Sequence, residues 1–62
     1  MNVIVNQNYR LVGSTLQMDK HKVYDAVKAT NQPNYEEEGL IFVSNTYEVA
    51  LLLNKNEYVV VD

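Results

Sequence analysis

Three carboxylates in a row, Glu36, Glu37 and Glu38, and one histidine, His21, between Asp19 and Asp25, are the residues of this chain whose types could do chemistry. Two carboxylates can serve as general acid and nucleophile or base, as in glycoside hydrolysis, when their surroundings split their pKa values. Three consecutive glutamates share one environment, so a charged loop shielding the apolar residues 40–43 is the simpler reading. Asp19, His21 and Asp25 could gather round a divalent ion only if their segment folded back on itself. A solvated turn accounts for the same three residues. With a single histidine and no cysteine, zinc sites built from several imidazoles or from thiolates are excluded. Ser14, Thr15, Thr30, Ser44 and Thr46 lack the context of a nucleophile elbow. The only glycines, Gly13 and Gly39, lie too far apart for a phosphate-cradling loop. The expectation is a non-catalytic domain with no metal and no cofactor.

Binding has more to work with, because five tyrosines in 62 residues exceed what one small core can hide. Tyr9, Tyr24, Tyr35, Tyr47 and Tyr58 can each edge the core with the hydroxyl in water. Alternatively, Tyr24, Tyr35 and Tyr58 converge beside the Asn31-Gln32-Pro33-Asn34 loop and form a patch for a protein or peptide partner. Arg10, Lys20, His21, Lys22 and Lys28 are the only basic concentration. With Tyr24, the lysines Lys20, Lys22 and Lys28 suggest a nucleic-acid-binding small barrel as the alternative function. Asp19 and Asp25 dilute that field, and the net charge of −3 disfavours polyanions and anionic membranes.

These side chains must be positioned by a single domain spanning residues 1–62, since the length leaves no room for a second core. Small domains bury a modest share of their surface, so marginal stability and a possible homodimer are expected. No signal-like segment opens the sequence, and its apolar runs are far shorter than a membrane span, which predicts a cytoplasmic protein. Size alone suggests a bacterial or phage accessory protein. Asparagines fall between the apolar stretches: Asn6 and Asn8, Asn31 and Asn34, Asn45, then Asn54 and Asn56. Asparagine tolerates left-handed backbone and bonds nearby main chain, so these mark turns between short strands. Met1, Val3 and Val5, and likewise Tyr9 and Leu11, have period-two apolar spacing with Asn2, Asn6 and Arg10 on the other face, and Tyr47, Val49, Leu51 and Leu53 alternate while Glu48 points away. Two segments admit a second reading. Asp19 can cap a helix over 19–29, and Asn45 with Glu48 resembles a capping box for a helix over 45–54, which would make the domain α+β.

Val23-Tyr24-Asp25 resembles the Leu-Tyr-Asp core of Src-homology-3 domains, and Asn56-Glu57-Tyr58-Val59 is similar to their closing Asn-Tyr-Val segment. Glu36-Glu37-Glu38 resembles their acidic first loop. The resemblance implies an all-β fold, a small five-stranded barrel or strongly bent antiparallel sheet. It also implies that Tyr24 and Tyr58 line a groove for proline-rich peptides. The sequence has no tryptophan and no proline just before Tyr58, both expected of that family. The predicted core is Val3, Val5, Leu11, Leu16, Val23, Val27, Leu40, Phe42, Val49, Leu51, Leu53 and Val60. Truncating Phe42 to alanine is expected to cost on the order of 3 kcal/mol.

Overall fold

Seven short strands and one helical turn make up the computed structural model, which describes residues 1–62. In chain order they are β1 (Asn2–Val5), β2 (Tyr9–Arg10), β3 (Gln17–Met18), β4 (Val23–Lys28), α1 (Tyr35–Glu38), β5 (Ile41–Val43), β6 (Leu51–Leu53) and β7 (Tyr58–Val60). Five of them form one strongly curled antiparallel sheet in the order β6-β5-β4-β1-β7. β2 and β3 make a separate hairpin between β1 and β4. The domain is all-β, and the α+β alternative with helices near 19–29 and 45–54 is set aside. Residues 23–28 form the central strand, because β-branched Val23 and Val27 suit a pleated surface better than a helical one. Residues 45–50 are an irregular loop folded around Ser44. Its hydroxyl oxygen accepts the Thr46 N–H at 3.0 Å and sits against the Thr46 and Val49 carbonyls. That local bonding replaces the expected strand from residue 47 and leaves only Leu51–Leu53 on the ladder.

Alternation of side chains assigns the two faces of the sheet. Val3 and Val5 of β1, Ala26 of β4, Ile41 and Val43 of β5 and Leu53 of β6 point inward and pack with Met18 of the hairpin into one buried cluster. Leu16 and Ala29 are buried as well, and no charged or polar residue is. The other parity faces out. Ile4 lies between Val23 and Val59, and Phe42 between Val27 and Leu52, in two cross-strand rows. Val23 and Val27 are therefore exposed rather than core, and Phe42 is half-buried on the outer face. Leu11 and Val60 are exposed too. Met18, Ala26, Ile41 and Val43, none of them in the predicted core, are buried in their stead. The one-residue shift in β4 and β5 reverses every side chain in those strands, which is why a run apolar on both faces is hard to phase from composition.

The asparagines do shape the connections. Asn34 adopts left-handed backbone (φ 61°) before α1, and Asn54 accepts the Asn56 N–H at 2.9 Å in a tight turn. Asn8 accepts the Lys20 N–H at 2.9 Å, and Asn45 the Gln17 N–H at 3.0 Å, so each ties its own loop to a distant one. Glu36, Glu37 and Glu38 are not a loop but the single turn of α1, exposed at its start, where carboxylates are favoured by the unpaired N–H groups.

Candidate binding site

α1 ends at Gly39, and that residue builds one wall of a depression at the end of the sheet. Gly39 has φ 61°, the left-handed conformation that glycine adopts without penalty. Its N–H donates to the Glu36 carbonyl at 3.4 Å, and Leu40 N–H donates to Tyr35 at 2.8 Å, closing the helical turn and releasing the chain into β5. The Tyr58 hydroxyl donates to the Gly39 carbonyl at 2.7 Å, and Lys55 N–H donates to the Glu38 carbonyl at 2.9 Å. β7 and the turn before it are thereby clamped to the end of α1.

The depression beside this clamp measures about 350 Å³. Met1, Leu40, Ile41 and Val60 give it an apolar lining, Tyr35 and Tyr58 flank it, and Lys28 and Glu36 supply one charge of each sign. Neither Lys28 nor Glu36 forms a salt bridge within the chain; the two that exist join the Met1 amine to Asp25 and Lys22 to Asp19. The Tyr35 phenol is pushed up in pKa, first by the charge of Glu36 and then by a hydrogen bond to it, so it remains a neutral hydroxyl across the physiological range. The arrangement can accept an apolar side chain and offers polar contacts around it. It contains no nucleophile paired with a base, and no group of three or more carboxylates or imidazoles comes together anywhere to hold a metal ion.

Of the residues singled out in the sequence, Tyr35 and Tyr58 meet here across 23 positions of chain. Tyr24 does not join them. It stands on the inner face of β4 opposite Val3, and its hydroxyl accepts the Asp19 N–H at 2.8 Å, pinning the turn that leads from β3 into β4. Asn34 is not among the residues lining this depression and shares a separate surface dent with Tyr35, Glu36 and Glu37. The lysines are split as well. Lys20 and Lys22 sit in the β3–β4 turn, whereas Lys28 is six residues along an extended strand, about 20 Å from Lys22. His21 holds positive φ (73°) in that same exposed turn. Met1, Leu40, Ile41 and Val60, which line the site, carried no functional signal in the sequence. They become neighbours only because β1 separates β4 from β7 and because α1 folds back toward Tyr58.

No helix is long and apolar enough to cross a membrane. Comparison with family models, with curated proteins and with solved structures yields no match to this chain, so the geometry of the site stands on its own.

Proposed function

We propose that this chain is a small, non-catalytic protein-interaction module that takes an apolar peptide side chain into the depression between α1 and β7. The observation that carries the reading is the placing of Tyr35 and Tyr58 around a floor of Met1, Leu40, Ile41 and Val60, with Lys28 and Glu36, neither of them in a salt bridge, beside it. Rigid amphipathic tyrosines around an apolar pocket are what interaction sites enrich, and the two opposite charges give such a site orientation. In this reading the curled five-stranded sheet is a Src-homology-3-like barrel, working in the cytoplasm of a bacterium or on behalf of a phage. Its binding residues are Tyr35 and Tyr58, with Tyr24 supporting the scaffold. A nucleic-acid function is the weaker reading, because Lys28 lies far from Lys20 and Lys22 and the Tyr24 hydroxyl already holds the chain's own backbone.

A random-peptide display selection against the immobilised domain tests this. Enriched peptides should carry a recurrent apolar residue, and on titration they should shift the amides of residues 35–41 and 58–60. Tyr35→Ala, which leaves the sheet intact, should weaken such peptides by about tenfold, the effect of one interface tyrosine. Peptides that shift the β2–β3 hairpin instead, or that bind Tyr35→Ala unchanged, would overturn the assignment of the site.

A further inference from the structure

β7 is an edge strand, bonded on one side only, to β1. The pattern of its bonds fixes which backbone groups are left over. Asn6 N–H donates to the Glu57 carbonyl at 3.2 Å, and Val61 N–H donates to the Asn2 carbonyl at 2.9 Å. In an antiparallel ladder every second residue bonds the neighbour, so residues 57, 59 and 61 turn their N–H and C=O groups toward β1. Tyr58 and Val60 direct theirs away from the sheet, on a side where no strand of the chain pairs.

Exposed edges normally carry a lysine, a proline or a bulge that blocks further pairing. Tyr58, Val59, Val60 and Val61 include no such residue, and the three valines are 61 %, 50 % and 39 % exposed. The opposite edge is less open. Ala29 N–H donates to Leu40 at 3.0 Å, which sets the alternation so that Leu51 and Leu53 bond β5 and only Leu52 of β6 faces outward.

We propose that β7 is a self-association edge, pairing antiparallel with β7 of a second copy about a twofold axis through Val60. In that register Val60 faces Val60 of the second copy, and Tyr58 faces Asp62 of the second copy. The outward N–H and C=O groups then bond reciprocally, and two five-stranded sheets become one of ten. Val59 and Val61 of one chain lie beside Val61 and Val59 of the other on the outer face, which is a favourable cross-strand arrangement of β-branched residues.

A second copy fits this edge better than a foreign strand. Pairing about Val60 is isologous, 60 against 60 and 58 against 62, and leaves the Asp62 carboxylate, which lies beyond β7, on the Asn2 N–H of its own chain at 2.7 Å. The segment from 58 to 61 is uncharged, so copies of a chain with net charge −3 meet there without opposing like charges. The area sets the strength. A stable interface covers roughly 800 Å² per partner, nearly a fifth of this chain's 4322 Å². One strand edge with three half-exposed valines supplies less than that, which makes the contact a weak one, populated only at high concentration. The inference goes beyond the peptide pocket, with which it shares Tyr58 and Val60; dimerisation is read by mass without added peptide, so its failure and that of the pocket are told apart.

Sedimentation velocity from about 10 μM to about 1 mM reads the outcome directly. The mass should rise from 7.1 kDa toward twice that value. Amide exchange should show Tyr58 and Val60 gaining protection with concentration while Val59 is protected throughout. Val60→Pro removes an outward N–H, and with it the valine side chain that lines the depression, and should hold the chain monomeric at the highest concentration with its amide spectrum otherwise dispersed. If that variant unfolds, Val60→Lys, which places a charge at the same edge, takes its place. A wild-type chain that stays monomeric at 1 mM overturns the proposal. So does a folded Val60 variant that dimerises like wild type, or loss of dimer in Leu52→Lys, which would move the contact to β6.

Discussion

Replacing Gly39 by alanine should be the most damaging single-methyl change available outside the core. Two independent costs meet at this position. The backbone is left-handed (φ 61°), where an L side chain costs roughly 1–2 kcal/mol. A Cβ there would also stand 2.7 Å from the Lys55 Cβ and 3.1 Å from the Tyr58 hydroxyl. The first contact is with the stem of a residue whose Cα is only 3.3 Å away, so the 54–57 turn must move, not just a flexible chain end. Overpacking of this kind adds about 1–3 kcal/mol. Movement of the turn also strains the bonds from Tyr58 to Gly39 and from Lys55 to Glu38, which hold β7 to α1. The total is about 3 kcal/mol, a large share of the roughly 3–9 kcal/mol expected for a chain of this length. Gly13 is the internal control: its φ is 85°, but a Cβ would meet nothing within 4 Å. Gly13→Ala should therefore show the conformational cost alone, about 1 kcal/mol. Urea unfolding of both variants, followed by circular dichroism, measures the difference. In thermal melts the Gly39 variant should fall by roughly 12–25 °C and the Gly13 variant by roughly 4–8 °C. If the two lose the same stability, the close approach of α1 to the 54–57 turn is wrong, and with it the wall of the candidate site.

Two further predictions bear on the core and on pH. Met18→Ala, at a fully buried position, should cost about 2–5 kcal/mol, whereas Phe42→Ala on the outer face should cost distinctly less, about 1–2 kcal/mol; the reverse order in urea titrations would mean that β5 is phased the other way. Burial above all, and also the Glu57 carboxylate that accepts its hydroxyl hydrogen at 3.3 Å, raise the pKa of Tyr9 against an opposing hydrogen bond with Gln7. The folded state thus holds this proton more tightly than the unfolded chain. The associated stability is complete below about pH 10 and is lost as pH climbs through the folded value. Tyr9→Phe should accordingly lose less stability between pH 9 and pH 11 than wild type, and an equal loss would show that Tyr9 is not the group responsible.

The all-β class, the strands at both ends and the turn positions were legible in the sequence, and each has a local cause. Met1, Val3 and Val5 stand at period-two spacing with Asn2 and Asn6 on the opposite parity, which marks one face of β1 as inward, and both valines are fully buried. Asparagine favours left-handed and side-chain-bonded turns wherever it occurs, and Asn34 and Asn54 behave in that way. The segments that misled were those whose pattern is satisfied by either phase. Ile41, Phe42 and Val43 are all apolar, and so are Val23, Ala26 and Val27; only pairing of Ala26 with Val43 and of Val27 with Phe42 decides which set meets Met18. Residues 45–50 show the other failure. Their tyrosine and valine alternate as a strand should, but the Ser44 hydroxyl satisfies the loop's backbone groups locally and draws the chain off the ladder.

The sequence by itself determined the composition of the candidate site but not its membership. Tyrosines too numerous to bury could be recognised as surface-edging residues from their count. Which two would meet depended on long-range contacts: β1 pairing with both β4 and β7, and a one-turn helix ending in a left-handed glycine that brings Tyr35 toward Tyr58. Tyr24 was drawn elsewhere by a backbone N–H only five residues away. Local propensity acts over a few residues and is written in their types; the partners of a side chain 20 or more residues distant are set by register, and register is decided only when the whole sheet closes around its core.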